Sequence, residues 1–142
     1  MLFRSSDCYF LVQDNRKSWQ NAGIDCLNRN SDLLYILSIE EDRFIDSKLI
    51  NKSTVNEVFV GLYGSSDINN RFSLWSSGHS VIFTNWQENT TDDYSNGTAC
   101  VAKNKTSFGQ WVVVNCSEMM PFICKRRGML CNKRWIRELT LQ

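Results

Sequence analysis

The chain has 142 residues, 42% of them hydrophobic and 12% aromatic, and a formal net charge of +1. Its length suits one domain with its own core and is too short for two comfortable domains, and no apolar run approaches the roughly 18 residues that a membrane span needs. The charge is uneven, because residues 125–142 hold six Lys or Arg and one acid whereas residues 1–124 hold 10 basic and 14 acidic residues, and a mildly acidic domain argues against nucleic-acid binding.

Cysteine content and glycosylation triplets indicate an oxidising, extracellular or lumenal compartment. The chain has six cysteines, and N-x-[ST] triplets begin at Asn51, Asn89, Asn96, Asn104 and Asn115. We take the first four as the candidate glycosylation sites, because the neighbour of the fifth, Cys116, is expected in a disulfide. The first residues do not resemble a secretory signal, so we expect a segment of a larger secreted or membrane-anchored protein. A small cytosolic protein with reduced thiols is the alternative.

The first predicted elements are a strand and a helix. Residues 8–12 are apolar and β-prone, which predicts a strand, and residues 14–17 are turn-like. Ser18 is a suitable N-cap for a helix over residues 19–28. The 3.6-residue period of this helix places Cys26 on its buried face, where a disulfide partner can reach it.

A second helix and a central strand follow. Residues 33–36 predict a short buried strand or turn. Residues 38–41 (SIEE) match an S-x-x-E capping box, so a helix should start at the second residue of the box and end in the polar break at 51–54. Residues 58–62 predict an apolar strand, in which Gly61 implies a close backbone approach or a bulge.

A long polar loop precedes the last strands. From residue 63 to about residue 98 the chain is rich in Ser, Asn, Asp, Thr and Gly. Such a stretch within a compact domain is usually a functional loop or disorder, and its apolar islands, RFSLW and VIFTNW, favour an ordered loop. Strands are predicted at 111–114 and 121–124, and residues 135–141 can form one or two marginal helical turns. We therefore divide the chain into a lead-in (1–7), a domain (8–125) and a basic tail or linker (126–142).

Five motifs occur in an order that resembles the C-type lectin-like domain across residues 8–125. They are Cys8-Tyr9; Trp19-x-x-Ala22-x-x-x-Cys26; Phe59-Val60-Gly61-Leu62; Trp75-x-x-Gly78 with Asn85-Trp86; and the closing series Cys100, Trp111, Cys116 and Cys124. Each motif alone is weak, and it is their shared order that is specific. The resemblance implies an α+β fold, in which two helices flank small antiparallel sheets with a long loop region and disulfides staple the whole.

The resemblance also implies two disulfides. Cys26–Cys124 would join the first helix to the last strand, and Cys100–Cys116 would close the late hairpin. Cys8 corresponds to the second cysteine of an N-terminal hairpin in longer family members, and its usual partner is absent. Pairing with Cys131 and pairing with a residue outside this chain both remain open.

The family's calcium-binding residues are the strongest indication about function. Sugar-binding members hold Ca²⁺ with a proline-containing loop triplet and with an Asn-Asp pair after the late Trp, because this cation needs 6 to 8 oxygen ligands. Here Val112 and Val113 stand at the Asn-Asp positions, and the only proline, Pro121, lies outside the loop. We therefore expect no Ca²⁺ cofactor. Three acidic candidates remain near the expected loop triplet, and they form either a divergent metal site or, as we favour, a solvated acidic segment: Glu88, Asp92 and Asp93.

Catalysis is not predicted. The single histidine, His79, lies in a Gly-His-Ser turn without an identifiable acid or nucleophile beside it, so we expect an exposed loop residue rather than a catalytic base. No zinc-ligand spacing is present either.

The sequence therefore predicts a calcium-independent extracellular recognition module of a secreted or cell-surface protein. Its expected ligand is a protein or glycoprotein bound by the long loop, and a homodimer is allowed. Of the loop aromatic residues, Trp75 and Trp86 are expected to pack the loop onto the core, whereas Phe83 and especially Tyr94 remain available for contact. The predicted loop contacts are Glu88, Asp92, Asp93 and Tyr94. The alternative is a carbohydrate-binding lectin with a degenerate Ca²⁺ site or with none.

Overall fold

A computed structural model of the chain describes residues 7–64, 72–88, 99–128, 131 and 135–137. The fold class is the predicted one, α+β with two helices and disulfide staples. In chain order the elements are β1 (Cys8–Lys17), α1 (Trp19–Asn28), β2 (Asp32–Leu33), α2 (Ile39–Ile45), a π-helical turn (Asp46–Ile50), β3 (Glu57–Tyr63), β4 (Ala99–Asn104), a 3₁₀ turn (Lys105–Ser107), β5 (Gln110–Asn115), β6 (Met120–Arg126) and β7 (Ile136–Arg137).

The strands form one seven-stranded sheet in the order β5-β4-β3-β6-β1-β7, with β2 paired to β6. This differs in detail from the separate antiparallel sheets expected from the resemblance. The reason is that β6 pairs with β1 and β2 in antiparallel fashion and also meets β3 in parallel, at Phe59 opposite Phe122. One shared strand therefore joins the two ladders into a single mixed sheet.

Both helices begin where their caps predict. Ser18 and Ser38 have extended backbones. The side chain of each accepts a hydrogen bond from the backbone amide three residues later, Asn21 N and Glu41 N respectively. The capping box at α2 is only half formed, because the Glu41 carboxylate accepts from Leu37 N (2.8 Å) and from the Tyr9 hydroxyl (2.5 Å) rather than from the N-cap amide. Glu41 is consequently buried in the core at 5% exposure.

Two local predictions are wrong. Residues 14–17 are not a turn but the second half of β1, held by pairing between Lys17 and Met120 after an irregularity in the register. Residues 136–137 are not helical but form β7, which pairs with the start of β1. In both places pairing with a distant strand overrides local propensity.

The basic tail is attached to the domain at several points. Trp135 is buried, its ring centroid lies 5.5 Å from that of Phe10, and the Arg126 guanidinium lies 4.2 Å from the Trp135 ring centroid. Cys131 is joined to Cys8 by a disulfide. The domain boundary after residue 125 stays a prediction, and these contacts favour a boundary further along the chain.

All six cysteines lie in the described part of the chain and are paired. Cys26–Cys124 joins α1 to β6 and Cys100–Cys116 closes the β4–β5 hairpin, as the resemblance implies. Of the two alternatives for Cys8, the structure has the Cys131 pairing.

Gly61 lies within β3, and the predicted close approach of other backbone segments to it is confirmed. A Cβ at this position would lie 3.0 Å from the carbonyl oxygens of Leu33 and Leu34 and 2.9 Å from Ser76 Oγ. The Gly61 amide donates to Leu34 O (2.8 Å), and its carbonyl accepts from Ser76 N (2.8 Å). Since a side chain would separate these segments, glycine sets the distance between the sheet and the loop.

Candidate ligand-binding site

The loop region is built around Trp111 of β5, whose side chain is fully buried. Three aromatic rings from the loop meet it nearly edge-on, with centroids 5.5 to 5.8 Å away, the favourable geometry for aromatic pairs. They belong to Trp75, Phe83 and Trp86. Trp75 and Trp86 therefore pack the loop onto the core, as predicted. Phe83, which was expected to remain available for contact, packs against Trp111 in the same way.

Main-chain hydrogen bonds fix the same segment to the free side of β5. Trp111 N donates to Asn85 O (2.8 Å), and Gln87 N donates to Trp111 O (2.9 Å). Residues 85–87, which we call the loop stem, therefore lie alongside the edge strand as a one-residue parallel bridge. The stem sets the direction in which residue 88 leaves the sheet.

The family's metal-ligand positions lie directly after this anchor. Val112 and Val113 are partly buried in β5, opposite Ala102 and Val101 of β4. A hard cation such as Ca²⁺ requires several oxygen ligands, some of them charged, and two valines supply no side-chain oxygen. The residues at this half of the site do not fit a calcium ion.

The predicted loop contacts are only partly visible. Glu88 is exposed at the end of the stem, whereas Asp92, Asp93 and Tyr94 lie outside the described residues. Within the described ranges, no group of three or more His, Cys, Asp and Glu side chains is arranged to hold a metal. The contact role of these four residues stays a prediction.

A groove beside the loop was missed by the sequence analysis. It has a volume of about 290 Å³ and an apolar exposed rim, with Tyr63 at 44% and Leu74 at 53% exposure. Ile82, further along the same segment, is 73% exposed. The groove is lined by Tyr63, Phe72, Ser73, Leu74, Trp75, Ser76 and Gly78. In the sequence Phe72 and Leu74 are indistinguishable from core residues, because the island that holds them, RFSLW, also holds the buried Trp75.

His79 is not the exposed residue that was predicted. It is partly buried, and its ring stacks on that of Tyr35 with the centroids 4.2 Å apart. Its Nδ1 lies 2.9 Å from Ser77 Oγ. The ring is therefore held by packing and by a polar contact within the protein.

Tyr35 should ionise late in an alkaline titration. Burial, and next the nearby Asp7 carboxylate, raise the pKa of Tyr35 to about 12, above the ordinary value of about 10. Because the folded state favours the neutral phenol, this contribution to stability is complete below about pH 10 and is lost as the pH rises through about 12. Absorbance of tyrosinate at 295 nm should show a late phase whose amplitude Tyr35→Phe lowers.

The control for this titration is the unfolded chain. In concentrated denaturant all four tyrosines should titrate together near pH 10. A folded protein whose titration is unchanged by Tyr35→Phe would contradict the burial of this phenol.

Two lysines are buried in the structure, which the sequence did not predict. Lys103 is 0% and Lys125 2% exposed, and each ammonium group lies 2.5 Å from a carboxylate of α2, Asp42 and Glu41 respectively. Lysine is almost never buried unless paired, and the acids lie far away in the sequence. The only local signal is that Lys103 follows four small or apolar residues of β4, on a strand buried on both faces.

The glycosylation sites stay predictions. Asn51 is exposed just after the π-helical turn. Asn104 is partly buried, and its Oδ1 accepts from Thr106 Oγ1 (2.6 Å) and Ser107 N (3.2 Å). The other two, Asn89 and Asn96, lie outside the described residues.

The fold, the disulfides and the loop anchored on Trp111 define a C-type lectin-like module. The profile of the Lectin C-type domain family matches residues 15–126, and the chain belongs to this family. Human lithostathine is a structural neighbour, with a TM-score of 0.74 and 28% identity over 89% of this chain and 95% of that one.

Two relatives are much longer proteins than this chain. The chain is 34% identical to human lymphocyte antigen 75 over 88% of its own length, and 37% identical to the mouse secretory phospholipase A2 receptor over 87%. It spans 7% and 8% of those two proteins. No helix in the part of the chain that the structure describes is long and apolar enough to cross a membrane.

Proposed function

We propose that this chain is an extracellular recognition module that binds a protein ligand through its loop region without calcium and without catalysis. The observation that carries the proposal is the presence of Val112 and Val113 where sugar-binding members place an Asn-Asp pair. Those positions supply no side-chain oxygen ligands, while the loop stem is held on β5 by Trp111 and by hydrogen bonds within the protein. The loop therefore has an anchor that needs no metal.

The exposed surface beside the loop supports a protein ligand. Tyr63 and Leu74, which line the groove, are 44% and 53% exposed, and apolar groups gathered at a groove mark interaction sites more often than isolated ones do. Aromatic side chains are also enriched among residues that dominate binding energy. We include the predicted contacts Glu88, Asp92, Asp93 and Tyr94 in the same surface. Glycans at Asn89 and Asn96 would restrict which face of it is open.

The relatives supply weaker support. One is named as the receptor of a secreted protein, phospholipase A2, and three disulfides suit an extracellular location. We extend to this chain the general idea of a protein ligand, not that particular one. A homodimer is allowed as well, and sedimentation at two concentrations would reveal it.

Calcium titration tests the metal-independent part. Isothermal calorimetry of the folded chain should show no specific site tighter than about 1 mM, and the melting temperature should be the same in CaCl₂ and in EDTA. A specific site below that limit, or a melting temperature lowered by EDTA, would sink calcium independence.

The competing function is sugar binding, which the match to a lectin family favours. A glycan array probed with and without EDTA separates the two functions. Strong glycan signals in either condition would replace the protein-ligand proposal with sugar binding. Signals that disappear in EDTA would show in addition that the sugar site contains a metal.

A protein-array experiment tests the surface directly. We expect the chain to retain specific signals on an array of secreted proteins and ectodomains, and Leu74→Glu to abolish them. Ile24→Glu is the matched control, because Ile24 is similarly exposed (49% against 53%) but lies on α1 outside the groove. Equal losses in both variants would remove the groove from the proposal.

A further inference from the structure

Lys103 is the buried cation beneath the loop stem. Its side chain is 0% exposed, and Nζ donates to Asp42 Oδ1 (2.5 Å) and to Gly109 O (2.9 Å). Asp46 Oδ1 lies 3.0 Å from the same nitrogen as a second ion-pair partner. One ammonium group therefore ties β4 to α2, to the π-helical turn and to the tip of the β4–β5 hairpin.

Asp42 carries this connection from Lys103 to the loop. Its Oδ1 also accepts from Trp111 Nε1 (3.0 Å), and its Oδ2 accepts from Asn85 Nδ2 (2.9 Å). The carboxylate is 1% exposed, so without a cation it would be a costly unpaired charge. Hydrogen bonds to an ionised acceptor are about twice as strong as neutral ones. The strength of both bonds thus depends on the charge of Lys103.

We propose that Lys103 is a positioning residue for the ligand-binding loop, acting through Asp42 on Asn85 and Trp111. The inference rests on the proposed use of the loop as the ligand site. The cation that orients the loop is then part of the polypeptide rather than a bound ion. The stem should keep one orientation whether or not the solution contains divalent metal.

A second buried pair on the same helix provides a matched comparison. Glu41, the neighbour of Asp42, pairs with Lys125 at 2.5 Å, and this cluster also binds the Tyr9 hydroxyl and the Tyr35 carbonyl. Its hydrogen bonds go to β1 and to the segment before α2, not to the loop stem. Removing either pair takes one lysine and one acid out of the core. Only removal of the Lys103–Asp42 pair also removes side-chain hydrogen bonds to Asn85 and Trp111.

Site-resolved hydrogen exchange on the full chain tests the proposal. The variant Lys103→Met/Asp42→Leu replaces both charges by apolar groups, which avoids the unpaired buried charge that could stop a single variant from folding. We expect exchange of the Gln87 amide, which is bonded to Trp111 O, to rise about tenfold or more relative to wild type. Amides in the β1–β6 ladder should change far less.

Two controls decide the outcome. Lys125→Met/Glu41→Leu should leave Gln87 exchange close to wild type. The same holds for Asp46→Asn, because Asp46 contacts Lys103 and no hydrogen bond or ion pair within the described part of the chain joins it to the stem. An equal rise at Gln87 in both double variants would mean a general loss of stability and would overturn the positioning role. No rise in Lys103→Met/Asp42→Leu would overturn it too. The experiment uses neither ligand nor calcium, so its result is independent of whether the proposed function holds.

Discussion

Trp111→Ala is expected to lower the free energy of unfolding by about 3–5 kcal/mol. The side chain is fully buried, it is the common partner of three loop rings, and its Nε1 donates to the buried Asp42 carboxylate. Truncation would open a cavity between sheet and loop and leave that carboxylate one donor short. Urea denaturation followed by far-ultraviolet circular dichroism would measure the change, and chymotrypsin should cleave the loop much faster in the variant.

The milder substitution Trp111→Phe separates packing from hydrogen bonding. It keeps an aromatic ring for the loop to pack on and removes the Nε1 donor together with part of the ring volume, for a cost of about 1–3 kcal/mol. A Trp111→Ala variant destabilised by less than about 1 kcal/mol, with unchanged cleavage of the loop, would show that the loop is held by other contacts.

Sequence information was sufficient where structure depends on neighbouring residues. The starts of α1 and α2 follow from Ser18 and Ser38, whose side chains bond amides three residues away. The end of β1 and the whole of β7 do not follow from local sequence, because their conformation comes from pairing with strands far along the chain. Local propensity is a weak guide at such positions.

The same distinction applies to the candidate site. The place of Val112 and Val113 in β5 could be predicted, since the resemblance fixes their position relative to Trp111 and Cys116. The roles of Lys103 and Asp42 could not be predicted, because the two residues are 61 positions apart in the sequence. Taken alone, each is a charged residue of the kind usually found on the solvated surface. Only the fold shows that β4 and α2 bring them together. The loop is thus recognisable from sequence, whereas its internal anchor is not.

Removing the Cys26–Cys124 disulfide should destabilise the domain more than removing Cys100–Cys116. The bridged residues are 98 positions apart in the first pair and 16 in the second. In the chain-entropy model the longer loop contributes about 5 kcal/mol and the shorter one about 3 kcal/mol. Both double alanine variants avoid free thiols, and their midpoints of urea denaturation under oxidising conditions give the comparison.

Burial should enlarge the difference between these two variants. Cys26 and Cys124 are both fully buried, whereas Cys116 is only partly buried, so alanine at the first pair also leaves cavities in the core. Cys8–Cys131 serves as the control, because its separation of 123 residues predicts an entropic contribution as large as that of Cys26–Cys124. A loss at Cys100–Cys116 equal to or larger than that at Cys26–Cys124 would contradict the loop-length argument. A small loss at Cys8–Cys131 would count against it as well, because the residues of that bridge are still further apart in the chain.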